Sequence, residues 1–165
     1  MKPRAPRTAH LQLEDDGAGA LTIGGARYLL IRPETLAALQ KAVEAAVGRQ
    51  AADCFAAGGR AGGARATASL PGTGEERVRR LVEMGGAIGW GQFTLERFTS
   101  DSIVVTVHRS PFAEAYGSAA APVCHLTRGV LESLVILTLS RPARVVETAC
   151  AATGADRCRF EARVE

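Results

Sequence analysis

Cys124-His125-Leu126-Thr127-Arg128-Gly129, Val146-Glu147-Thr148-Ala149-Cys150 and Gly154-Ala155-Asp156-Arg157-Cys158-Arg159-Phe160 are the stretches on which the fold turns. Three of the four cysteines of the chain fall in its last quarter, together with one glutamate of matching reach. Cys124 follows Pro122 at the start of a segment that is apolar nearly all round: Val123, Leu126, Val130, Leu131, Leu134 to Leu137 and Leu139. Such a segment predicts a helix opening at Pro122, stopped by Pro142 and buried on most sides. The positive end of that helix favours a thiolate at Cys124. Strands are predicted near 143–148 and 157–164. Glu147 and Cys150 are three apart, so on a continuous strand they face opposite ways, and a turn near Ala149 is needed to bring them together. Gly154 and Asp156 return Cys158 to the start of the last strand.

Three thiolates and a carboxylate suit a tetrahedral zinc ion. Four protein ligands leave no open position and a net charge of about −2, which describes a structural site. Arg128, Arg157 and Arg159 are candidates to offset that charge. Spacing alone leaves other readings open: three small buried hydrophobes, or a Cys150–Cys158 disulfide. Cys54, in mid-helix among alanines, reads as core.

Upstream, residues 1–20 form a Pro-, Asp- and Gly-rich leader or weak edge strand, and 21–165 a single domain. Leu21 to Ile31 form a hairpin about Gly24-Gly25. Pro33 opens a helix with Leu36, Leu39, Val43 and Val47 as its apolar stripe. An alanine-rich helix over about 49–67 is crossed by Gly58-Gly59 and Gly62-Gly63, which allow another backbone to approach closely and do not fit a phosphate loop. Thr73-Gly74-Glu75-Glu76 reads as a capping box for a third helix ended by Gly89-Trp90-Gly91. Strands at 92–98 and 103–108 flank a turn at 99–102, and a loop over 110–121 carries Phe112 and Tyr116. The architecture is α+β, one domain, with a mostly antiparallel sheet packed with helices.

Composition bounds the function. Of 165 residues, 47% are hydrophobic and 22% charged, a globular balance, and the net charge of +3 comes almost wholly from arginine. The arginines are scattered and only eight aromatics are present, so neither a nucleic-acid face nor a stacking platform is expected. No run approaches the length of a membrane span, and no apolar segment follows the basic N-terminus as a secretory signal requires, so the expected location is cytoplasmic. No nucleophile–base set or nicotinamide or flavin fingerprint is visible, and no residue is assigned a catalytic role. His108 and His125 read as surface or packing residues.

The C-terminal stretches quoted above, with Arg141-Pro142, resemble the signature of the 4-vinyl-reductase-type domain; Arg32-Pro33-Glu34, Gly85 to Gly91 and Ser110-Pro111-Phe112-Ala113-Glu114 are similar too. The resemblance spans roughly residues 25–163. It implies a fold like that of TRAPP subunits and haem nitric-oxide-binding domains, usually dimeric, with an apolar ligand pocket near a zinc ion that takes no part in binding. It assigns the zinc to Cys124, Glu147, Cys150 and Cys158. The family's phenol sensors use a Trp and a His to hold the hydroxyl; Phe112 stands at about the Trp position and donates nothing, which argues against phenol. No ATPase module or helix-turn-helix lies within these residues, so a separate regulatory or biosynthetic protein is an expected partner.

The resulting expectation is a zinc-stabilised sensor or carrier for an apolar, aromatic or tetrapyrrole-like molecule, with Trp90, Phe93, Phe112 and Tyr116 as pocket aromatics. The alternatives are an enzyme or accessory of (bacterio)chlorophyll synthesis acting at the 4-vinyl group, and a TRAPP-like scaffold with no ligand.

Overall fold

Ile103-Val104-Val105-Thr106-Val107 is buried along its whole length, as expected of a strand with neighbours on both sides. In the computed structural model, which describes residues 12–164, this strand is β5 (Ser102–His108) in a four-stranded antiparallel sheet. The sheet order is β4 (Gln92–Phe98), β5, β7 (Cys158–Val164), β6 (Ala143–Ala149). Alternation gives it two unlike faces. Ile103, Val105, Val107, Phe160, Ala162 and Val145 enter the core. On the other face Arg159 pairs with Glu161 and Glu96, and Thr106 lies opposite Arg159 in the register.

The core face is covered by α5 (His125–Leu139), which packs between the sheet and α2 (Ala51–Ser69). The α2–α5 contact rests on small residues. A Cβ on Gly59 would strike the Leu126 carbonyl oxygen, and one on Gly129 the Ala56 carbonyl, so these backbones meet at a distance only glycine permits. One glycine of each pair in α2, Gly59 and Gly63, therefore does serve close approach, and the partner is α5 of the same chain. Glu132 on α5 adds a polar tie. It accepts from Arg60 Nη1 at 2.8 Å and from the Val145 amide at 3.2 Å, linking α2, α5 and β6.

α1 (Pro33–Val47) forms where Pro33 predicts it and packs on α2 and on a short helix, α4 (Pro111–Tyr116). It buries Ala37 and Gln40 and leaves Leu39 and Val47 of the expected stripe exposed. α3 (Gly74–Ala87) begins at Thr73 and buries Val78, Leu81 and Val82, but the capping box does not close: Thr73 makes no side-chain cap bond, and Glu76 instead accepts from Arg80 at 2.6 Å. The expected loop at 110–121 contains a helix, α4 (Pro111–Tyr116), whose N-cap Ser110 accepts the Ala113 amide at 3.5 Å. α5 starts three residues later than Pro122 implies, because Val123 and Cys124 are engaged elsewhere. The Val123 carbonyl takes Gln40 Nε2 at 3.1 Å, and the Cys124 amide donates to Glu147.

At the N-terminal end, β2 (Leu21–Ile23) and β3 (Ala26–Tyr28) make the expected hairpin about Gly24-Gly25. A further strand, β1 (Leu13–Asp15), pairs with β2 inside the stretch read as leader. Residues 1–11 of that stretch lie outside the described residues.

Candidate functional site

The strand problem at Glu147 is solved by a bulge. Glu147 pairs with Phe160, but the next paired residue, Ala149, faces Arg159, so Thr148 is an extra residue with no partner of its own. That insertion restores the inward phase. Glu147 and Cys150, three apart, both reach the core side. Cys150 then leads into a 3-10 turn (Ala151–Thr153) and Gly154, in the left-handed conformation at φ 94°, swings the chain back to Cys158 at the start of β7. Cys124 meets them from the N-cap of α5.

The four residues are all buried, and one ligand atom from each lies within 4.8 Å of the other three. All three cysteines are free thiols, so the disulfide alternative fails. Cys124 Sγ stands 3.6 Å from Cys158 Sγ, close to the sulfur–sulfur edge of about 3.8 Å that a tetrahedral zinc thiolate requires. Polar contacts surround the sulfurs: Ser110 Oγ is 3.5 Å from Cys124 Sγ, and the Ala151 amide donates to Cys158 Sγ at 3.4 Å. Glu147 is divided in its duties. One carboxylate oxygen accepts the Cys124 amide at 2.9 Å, and the other, fully buried, has no hydrogen-bond partner. A buried carboxylate oxygen left without a partner is costly, and a cation at the centre of the cluster would satisfy it.

The electrostatics express the same strain. Burial, then the neighbouring Cys150, pushes the Glu147 carboxyl up to about 8. The Cys124 and Cys158 thiols, hydrogen-bonded to Cys150, hold it far below the ordinary thiol range, and that bond, with burial, pushes Cys124 far up. The cluster thus spreads little negative charge over four acidic groups until a cation arrives. The expected arginine compensation is absent from these contacts. Arg128 reaches the Ala52 carbonyl at 3.1 Å, Arg157 turns to Asp156, and Arg159 lies on the opposite sheet face with Glu161. Cys54 is exposed, a correction to its reading as core: it lies on the side of α2 that does not meet α5.

Beside this cluster lies an apolar cavity of about 730 Å³. Its walls come from α2, α3 and the turn after it, the start of β4, α5 and the whole of β3. Trp90 and Phe93 line it, together with Leu81, Val82, Val130 and Leu131. Phe112 and Tyr116 do not. Phe112 backs the wall, edge-on to Trp90 with ring centroids 4.9 Å apart. Tyr116, at the end of α4, donates to Glu44 at 2.6 Å, and Lys41 stands over its ring. The residues that sequence reasoning missed are Gly58 and Gly62. Both line the cavity, and a Cβ on either would meet nothing within 4 Å.

A buried cluster of three cysteines and one glutamate at one end of an antiparallel sheet, beside a helix-walled cavity, defines a class: an α+β domain with a candidate metal centre and room for a small molecule. The model of the V4R domain family matches residues 103–164 of the chain. No curated protein matches the sequence. Among solved structures, the fold is similar to the phenol-responsive sensory domain of the transcription activator PoxR with phenol, at a TM-score of 0.83 and 18% identity over 94% of this chain and 85% of that one. It is similar also to a vinyl-4-reductase family protein from Methanocaldococcus jannaschii (0.59, 14% identity, 86% and 85% covered). A trafficking protein particle complex subunit 3 from Naegleria fowleri, covalently bound to palmitic acid, shares the fold at 0.52 and 10% identity, with 81% and 95% covered. The α+β, TRAPP-like architecture expected from the sequence is the one observed.

Proposed function

We propose that this domain binds an apolar small molecule, aromatic or tetrapyrrole-like, in the cavity between α2, α3 and α5, and that a structural zinc ion held by Cys124, Glu147, Cys150 and Cys158 fixes the adjoining end of the sheet. The observation that carries the proposal is the cavity itself: about 730 Å³, within the size range of small-molecule sites and walled mainly by apolar groups. A scaffold without ligand has no use for such a space, and filling it with side chains would stabilise the fold. Small-molecule sensing is also what the described PoxR domain does with phenol, which supports the sensor role over the biosynthetic one.

The zinc assignment rests on the chemistry of the donors. Three soft thiolates with one carboxylate suit zinc better than calcium or magnesium, and four protein ligands leave no place for a reacting water. When bound, the ion would neutralise part of the cluster and lock Cys124, and with it the start of α5, to β6 and β7. For the compartment we propose the cytoplasm, where a cysteine metal site stays reduced; no described helix is long and apolar enough to cross a membrane.

The partner in solution is a second copy. Gly59 and Gly63 of α2 are used within the chain, but Leu29, Leu30, Ile31, Leu39 and Val47 leave an exposed apolar surface along the segment before α1 and on α1 itself. Native mass spectrometry of freshly purified protein tests all three parts at once. One zinc per chain, a dimer and a retained small molecule are expected; zinc-free, monomeric protein would remove the metal and dimer assignments. Trp90 is the single tryptophan and lines the cavity, so naphthalene or toluene should change its emission. Unchanged emission and unchanged thermal stability with both would overturn the ligand site.

A further inference from the structure

The cavity wall is not uniformly apolar. Among the described residues that line it, Arg27 and Arg65 carry the only charges, and no aspartate or glutamate is present to balance them. Neither guanidinium is committed. Arg65 makes no ion pair or hydrogen bond among the described residues, and Arg27 has only a long contact, 3.5 Å, to the Gly19 carbonyl. Nine of the sixteen described arginines, Arg60, Arg128 and Arg159 among them, face a carboxylate within 4 Å, and Arg27 and Arg65 do not.

Their placement is directional. On α2, Gly58, Gly62, Arg65 and Ser69 follow at steps of four, three and four, so they share one face of the helix. The two glycines form a bare floor, and Arg65 stands where that floor ends. Arg27 comes from β3, on another wall of the same cavity. Both arginines are exposed, whereas Phe93, Leu81 and Val82, on other parts of the wall, are buried. The space therefore runs from an apolar interior to a cationic mouth, with no neutralising group along the way.

Resting on the ligand site proposed above, we infer that the ligand is an amphiphile with an anionic head of the carboxylate type, its apolar body lying on the Gly58–Gly62 floor and its head between Arg27 and Arg65. A guanidinium presents a planar fork that matches the two oxygens of a carboxylate, and such bonds are stronger than neutral ones. Because the mouth is open to water, the head adds orientation and a moderate gain in affinity, and that gain weakens with salt.

The test compares acids with their uncharged esters: 2-naphthoate with methyl 2-naphthoate, and dodecanoate with methyl dodecanoate, binding being read by calorimetry and Trp90 emission. The expected result is roughly tenfold tighter binding of at least one acid than of its ester at low salt. That preference should disappear in the double variant Arg27→Gln/Arg65→Gln, whose thermal midpoint should match the parent because both side chains are exposed. Esters binding as tightly as acids, or an acid preference that survives in the double variant, would overturn the anionic head and leave the apolar site standing. Failure of all four compounds, with naphthalene and toluene also silent, would overturn the site itself.

Discussion

The N-cap of α5 and the two turns that follow it are built on opposite plans. At its N-cap, Cys124 joins Glu147, Cys150 and Cys158 in a cluster where reactive side chains are crowded together and no atom has space to spare. One turn further on, Leu126, Val130 and Leu131 look into a space kept open by what is missing from α2, the side chains of Gly58 and Gly62. A close cluster is broken by removing an atom. A cavity is broken by adding one.

The largest effect is therefore expected at the cluster. Cys158→Ser should abolish stoichiometric zinc and, since the site ties α5, β6 and β7 together, cause broad destabilisation and loss of soluble protein. Cys54→Ser, at an exposed thiol, should keep both zinc content and thermal midpoint. Elemental analysis and thermal melts check the pair, and a zinc-replete, fully stable C158S would end the metal assignment. A strong chelator added to the parent protein should lower its melting temperature in the same direction.

Next in size is Gly129→Ala, where the new methyl would collide with the Ala56 carbonyl, a backbone group that cannot step aside. Overpacking of this kind costs about 1–3 kcal/mol, readable as a lower urea midpoint. Gly62→Ala, on the other side of the α2–α5 pair, should do the reverse. Its methyl meets nothing, and the gain in helix propensity is worth up to about 1 kcal/mol. Gly62→Leu should keep a stable fold yet occupy part of the cavity, so that naphthalene no longer perturbs Trp90. If both glycine sites respond alike, the two-plan description of α5 fails.

Much of this was legible in advance, and the reasons differ from element to element. Period-two alternation marks β7, a continuous β-branched run marks β5, and the long apolar run marks α5, because burial imposes those patterns. The cluster was legible because Cys and Glu are chemically conspicuous. α4 was not, since six residues are too few for periodicity, although Ser110-Pro111 is the start signal it uses. The stripe on α1 overstated burial because apolar spacing does not say whether this chain or another molecule covers the face. The cavity was the least legible. Gly58 and Gly59 are the same residue in the sequence; one is closed against a backbone and the other opens onto empty space, a distinction fixed by which side of α2 each occupies.

Thr148 has a consequence for how the sheet assembles. Ligands three residues apart on a strand pose a question of parity, and one unpaired residue answers it. If β6 pairs with β7 one step out of register, every inward residue turns outward, and Glu147 departs from the side where Cys124 and Cys158 wait. Only a correctly aligned hairpin brings all four donors to one point. Under the proposed metal assignment, capture would be a proofreading step: it would reward the one alignment of β6 on β7 that completes the donor ring and be blind to all the others.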